Sequence, residues 1–207
     1  DIKGDLHVHT NESDGGFTLE AMAEAAIKMG YEYIAVTDHS KAVGIAHGLD
    51  EARILAQMAR VDDFNKHLKK KGERFRALKG SEVDIRADGT LDHSEKVLGG
   101  LDCVVAAVHS GFGMGKGAMT ARIIKAIQTG LVNILAHPTG RLLGERAPYE
   151  VDMAAVMDEA KKHNVALELN SCPERLDLND MHLRLAKDKG VKIAISTDAH
   201  SIGHLQN

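Results

Sequence analysis

The sequence has no tryptophan, three tyrosines and four phenylalanines in 207 residues. So few rings leave little material for the stacking platforms on which proteins lay single-stranded nucleic acid. Cysteine is scarcer still. Cys103 and Cys172 alone make no disulfide framework, and the favoured compartment is the reducing cytoplasm. Positive charge is also short. Lys and Arg number 26 against 30 Asp and Glu, a formal net charge of −4, which lacks the basic footprint of an autonomous nucleic-acid-binding domain. No apolar run approaches the roughly 20 residues needed to span a bilayer, so no membrane segment is expected. The opening DIKGDLHV has neither the basic start nor the apolar centre of a signal peptide.

What remains is ordinary for a globular chain, 43% hydrophobic and 27% charged, with a length that suits one domain over 1–207. Histidine is the exception, at twelve residues. Two of them, His7 and His9, lie in the run GDLHVHTNESD (Gly4–Asp14). Residues two apart on a strand point to the same face, so these imidazoles aim together, with Asp14 close behind in a Gly-flanked turn. That is half of a metal site. An H-x-H pair alone fits simple packing equally well, so the reading depends on ligand-type residues elsewhere.

The rest of the chain supplies them in a repeating order. Helices are expected over Thr18–Gly30, Asp50–Lys71, Thr120–Thr129, Val151–His163 and Asn179–Lys189, each from caps and apolar residues at helical spacing. Between them run apolar strands: the first at His7, then Tyr33–Thr37, Arg76–Ile85, Cys103–Val108, Val132–Ala136, Val165–Leu169 and Val191–Ser196. Alternation of this kind predicts parallel strands wrapped by helices. Ligand-type residues close six of the seven strands: His7/His9, His39, Glu82, His109, His137 and Asp198/His200. Only a closed barrel brings so many strand ends to one mouth, so the expected fold is α/β, a distorted (β/α)7, TIM-like barrel with its metal site at the C-terminal ends of the strands.

The motifs HxH, TDH, GSEVD, AVHS, AHP and TDAH, in this order, resemble the PHP (polymerase and histidinol phosphatase) family. The resemblance implies a seven-stranded barrel with two to three divalent metal ions and nine ligands: His7, His9, Asp14, His39, Glu82, His109, His137, Asp198 and His200. By analogy, His7, His9, Glu82 and Asp198 hold one metal; Glu82, His109 and His137 a second; Asp14, His39 and His200 a third. Glu82, His9 and Asp198 stand at the catalytic centre. Mixed imidazole and carboxylate ligation suits Mn or Zn, with Fe as a further candidate. Such ions make the mouth electropositive in an acidic chain and acidify water enough to supply hydroxide near neutral pH, which favours phosphoester hydrolysis.

The runs AHPTGRLLGERAPYEVD (Ala136–Asp152), CPERLDLND (Cys172–Asp180) and EVDIRADGTLD (Glu82–Asp92) narrow the resemblance to the C-terminal PHP domain of bacterial and archaeal family X DNA polymerases. It implies a Mn-dependent 3′–5′ exonuclease or 3′-end processing activity in DNA repair. DNA 3′ ends would be held mainly by polymerase domains absent here, the chain being a domain cut from a longer protein. Two other readings compete: a small-molecule phosphomonoesterase of histidinol-phosphatase type, and a non-catalytic, metal-stabilised brace for a polymerase. Candidate phosphate contacts are Arg141, Arg175 and Lys41, with Arg146 beside them. Histidines 47, 67, 93, 163, 182 and 204 are expected at the surface or in the core, with His47 and His204 nearest the mouth. Gly111–Gly117, GFGMGKG, lacks the spacing and the Ser or Thr of a P-loop and reads as a loop.

Overall fold

The computed structural model describes residues 2–207. Seven strands are hydrogen-bonded to one another in chain order: β1 (Gly4–Val8), β2 (Tyr33–Val36), β3 (Arg76–Asp84), β4 (Cys103–Ala107), β5 (Ile134–Leu135), β6 (Ala166–Asn170) and β7 (Ile193–Ser196). The registers of β1–β2, β2–β3 and β4 through β7 are all parallel, as the strand–helix alternation predicts. The crossovers carry α1 (Leu19–Lys28), α2 (Glu51–Lys70), the short α3 (Glu95–Leu98), α4 (Lys116–Gln128), α5 (Met153–Lys162) and α6 (Asp180–Lys189). Among the described residues, no helix is long and apolar enough to cross a membrane.

The chain forms two compact units. The first comprises 1–82, 93–104 and 197–207, the second 83–92 and 105–196. In the first, α1 shows how local sequence makes an element. Thr18 caps it by accepting from the Ala21 amide at 3.3 Å, and Leu19, Met22, Ala23 and Ala26 form one buried stripe. Gly30 ends it at φ +84°, a left-handed conformation that costs glycine little. The stripe packs on Val8, Ile34, Leu68, Phe75, Ala199 and Leu205. Ala199 matters most to the site. His9 N donates to Ala199 O at 2.8 Å and Ala199 N to His7 O at 3.2 Å, so the segment after β7 lies against β1.

In the second unit, Asp152 caps α5 through the Ala155 amide, and Asn179 caps α6 through the His182 amide at 2.9 Å. One boundary differs from expectation. Helix α4 starts at Lys116 rather than at Thr120, and so takes in the end of the GFGMGKG run. Thr120 is already inside it, donating its hydroxyl to Lys116 O at 2.7 Å, and Met119 anchors the first turn with no exposure. Gly115 and Gly117 conceal the start in sequence, yet a first turn tolerates glycine because its amides have no helical partner in any case.

The core is built mostly from Val, Ile, Ala, Leu and Met, with the rings of Phe75 and Tyr149 among them. Ile34, with no exposed surface, sits at the centre of the first unit's cluster. Truncating it leaves a cavity that its stiff neighbours cannot fill. Ile34→Ala is expected to cost about 2–5 kcal/mol in denaturant unfolding. A loss under about 1 kcal/mol would show that this cluster does not carry the unit's stability.

Candidate metal centre

Seven of the nine candidate ligands converge within the first unit. Strand β1 places His7 and His9 on one side, both without solvent exposure. The segment after β2 supplies His39, β3 supplies Glu82, and the segment paired with β1 supplies Asp198 and His200. One donor atom from each of His7, His9, Glu82 and Asp198 lies within 4.8 Å of the other three. The same holds for His9, Asp14, His39 and His200.

The spacings carry more than the clustering. His7 Nε2 is 3.3 Å from Glu82 Oε2 and 3.6 Å from Asp198 Oδ1; His9 Nε2 is 3.5 Å and 3.1 Å from the same two atoms. Donors about 2.0–2.1 Å from one ion in a tetrahedral array stand about 3.4 Å apart. The donor set therefore fits a divalent cation. In the second group, Asp14 Oδ1 is 3.7 Å from His9 Nδ1 and 3.3 Å from His200 Nε2, while Asp14 Oδ2 is 3.5 Å from His39 Nε2. The other ring nitrogen of His39 is 2.9 Å from Glu82 Oε2. His200 is oriented through its Nδ1, which lies 2.8 Å from Asp198 O. Donation there leaves the Nε2 lone pair directed at Asp14, the usual way in which an outer hydrogen bond selects a ligand tautomer.

Electrostatics agree with this geometry. Burial, then the neighbouring His200 and His39, pushes the His9 pKa down to about 3, which keeps its ring neutral with lone pairs available. Burial has the same sense at His39, but Glu82 and Asp14 outweigh it and raise the pKa to about 10. Proton and metal ion compete for the same lone pair there. Burial works against the charged form of Asp14 and of Asp198. The surrounding imidazoles nevertheless hold both carboxyls below the usual range, His200 and His39 around the first, His7 and His9 around the second.

The second unit contributes the other two ligands, His109 after β4 and His137 after β5, with ring centroids 5.5 Å apart. Asp84 Oδ1 lies 3.2 Å from His109 Nδ1 and accepts the His109 amide at the same distance. His137 has φ +26°, and Asp198 in the first unit has φ +57°. Non-glycine residues rarely adopt such angles, which cost about 1–3 kcal/mol each and persist where the surroundings over-determine them. Those surroundings are visible. The His137 amide donates to Glu168 Oε2 at 2.6 Å, and Ala199 is pinned to β1 directly after Asp198.

The candidate phosphate contacts behave less uniformly. Arg141 spends Nε on Arg175 O at 2.9 Å and Nη2 on Leu176 O, so it ties two loops together. Lys41 is exposed, with Glu51 as a charged neighbour. Of the remaining histidines, His93 is buried, His163 pairs with Glu159 at 2.9 Å, and His204 Nδ1 accepts from the His200 amide at 3.3 Å. Sequence reasoning passed over four buried carboxylates that position the ligands: Asp5, Asp38, Asp84 and Glu168. Asp5 accepts the His7 amide at 3.0 Å and the Thr197 hydroxyl. Asp38 accepts the Thr10 amide and hydroxyl at 2.8 and 2.7 Å and the Ser13 hydroxyl at 2.5 Å, shaping the turn that holds Asp14. Their signal was period two: Asp5 shares a strand face with His7 and His9, and Asp84 follows Glu82 by two.

With fold and geometry in place, the chain belongs to the PHP domain family, whose model matches residues 5–172, a family of metal-dependent phosphoesterases. It is 47% identical over 206 residues to the DNA polymerase/3′-5′ exonuclease PolX of Bacillus subtilis, covering all of this chain and 35% of that protein. It is 32% identical to a "Probable phosphatase" of Thermoanaerobacter sp., covering 95% of this chain and 78% of the relative. The histidinol phosphate phosphatase of Lactococcus lactis, solved with Zn, L-histidinol and phosphate, shares the fold at a TM-score of 0.69 and 18% identity, over 98% of this chain and 88% of that one.

A cation bound only by the folded state stabilises it by about 2.7 kcal/mol at a hundredfold excess over Kd. Adding Mn or Zn to chelator-treated protein should raise the melting temperature by several degrees, and Glu82→Gln should abolish most of that rise. Equal melting curves with and without metal, and no metal retained on desalting, would refute the assignment.

Proposed function

We propose that the chain is the metal-dependent nuclease domain of a family X DNA polymerase, hydrolysing phosphodiesters at DNA 3′ ends. The observation that carries this is the donor group His7, His9, Glu82 and Asp198, set 3.1–3.6 Å from one another across the imidazole–carboxylate pairs. Full-length similarity to PolX supplies the substrate class, and because the chain spans 35% of that relative, further domains would present the duplex.

In this reading His7, His9, Glu82 and Asp198 hold one ion and Asp14, His39 and His200 another, while His109 and His137 are ligands of a further one. Mn or Zn there would polarise phosphoryl oxygens and acidify water. The chain's own part is orientation. Asp5, Asp84 and the Asp198 carbonyl fix His7, His109 and His200 respectively, Glu82 faces the imidazoles of His7 and His9, and Asp198 keeps its charge in a buried setting because the same two rings lower its pKa. Arg141, Arg175 and Lys41 are proposed to meet substrate phosphates.

The relative named as a phosphatase, of which the chain covers 78%, favours a second reading, hydrolysis of small phosphomonoesters. One assay separates the two. With Mn present, a 5′-labelled oligonucleotide should shorten stepwise from its 3′ end, and Glu82→Gln should reduce the rate at least a thousandfold. Phosphate release from small monoesters with the oligonucleotide intact would support the second reading and overturn the first.

A further inference from the structure

The loop from Pro138 to Asp152 begins next to His137 and is closed upon itself. The Tyr149 amide donates to Thr139 O at 3.0 Å and the Tyr149 hydroxyl to Pro138 O at 2.8 Å. Leu142 and Arg146 pair across a tight turn at 2.9 and 2.8 Å, with Gly144 at φ +78°. Such a loop is preorganised, and it forms one wall of a cleft of about 460 Å³ whose other wall includes Asn179 and His182 of α6.

The chemistry of the cleft is unusual for this chain. Arg141 and Arg146 both line it, and among the described residues neither forms an ion pair. Burial, and then the nearby charge of Arg175, lowers the Arg146 pKa. Arg146 spends only Nε, on Gly140 O at 2.8 Å, and its guanidinium lies 4.2 Å over the ring of Phe112. Phe112 in turn stacks on Tyr149 at 6.2 Å and 13°. Two of the chain's seven aromatic residues thus meet beneath Arg146, and there they hold its guanidinium in place. Leu143 and Leu176, on the loops that Arg141 joins, leave 48% and 46% of their surface exposed. Guanidiniums that meet only backbone carbonyls keep N–H groups for phosphates, and exposed leucines suit bases and sugars.

We propose that this cleft is a docking track for single-stranded polynucleotide, with phosphates at Arg141 and Arg146 and a base or sugar against Leu143. The proposal rests on the 3′-end nuclease reading. It also sets the polynucleotide apart from a small monoester, which has no flanking nucleotides to place there.

The test is anisotropy of a fluorescein-labelled oligothymidylate of about eight nucleotides, titrated with chelator-treated protein so that binding is read without hydrolysis. Wild type should bind with a salt-dependent Kd. Arg146→Glu should weaken binding at least tenfold, Arg146→Ala should lower the log–log salt slope by about 0.7, and Arg146→Lys should recover the slope. If Arg146 only braces the loop, the alanine variant melts earlier with an unchanged slope, and the proposal fails. It fails too if wild type does not bind, if Arg146→Glu binds as wild type does, or if inorganic phosphate at equal ionic strength displaces the oligonucleotide. Binding as expected without 3′ shortening in Mn would instead count against the nuclease reading while leaving the track in place.

Discussion

Carboxylates placed where water does not reach are the constraint on which this structure turns. Asp5, Asp38, Glu82, Asp84, Glu168, Asp177 and Asp198 are each 8% exposed or less. An ionised carboxylate in such a place costs several kcal/mol unless its lone pairs are met. The molecule meets them in two ways. Asp5, Asp38 and Glu168 receive backbone amides and hydroxyls, which at Asp5 and Asp38 offset part of the burial that pushes their pKa values up, that of Asp5 to about 6. Glu82 and Asp198 face imidazole nitrogens, an arrangement best satisfied by a cation between them.

The first solution serves the second. Carboxylates bonded to the chain hold the turns and strand ends from which ligands project, as Asp38 does through Thr10 and Ser13, and Glu168 through the amide of His137. Rigidity of this kind allows non-glycine residues to keep left-handed angles at His137 and Asp198. It also links metal affinity to folding, because moving one buried carboxylate displaces ligands on a neighbouring strand.

The scarcity of aromatic residues reads differently once the chain is folded. Small branched side chains suffice for most of a core in which helices press on parallel strands, and Ile123 and Leu167 are fully buried without a ring nearby in sequence. The rings that do exist are not spread evenly. Phe112 stacks on the buried Tyr149 and lies under the Arg146 guanidinium, so a low total conceals a local cluster. Counts set averages, and recognition depends on where a few side chains meet.

The sequence by itself determined the α/β class and the order of strands and helices, because period-two and period-3.6 patterns are local, and its strand-end motifs offered His7, His9, Asp14, His39, Glu82, His109, His137, Asp198 and His200 as ligand candidates through a family resemblance. It blurred the start of α4, where glycines hid a first turn, and the ends of β5, whose apolar run is longer than its paired residues. Only the tertiary structure decided that Arg141 clamps two backbone carbonyls, that Asp5 and Asp38 bind turns rather than solvent, and that His204 touches the backbone of His200. Those roles depend on partners up to 192 residues away in the chain, and no local pattern records a contact that exists only after the backbone has closed.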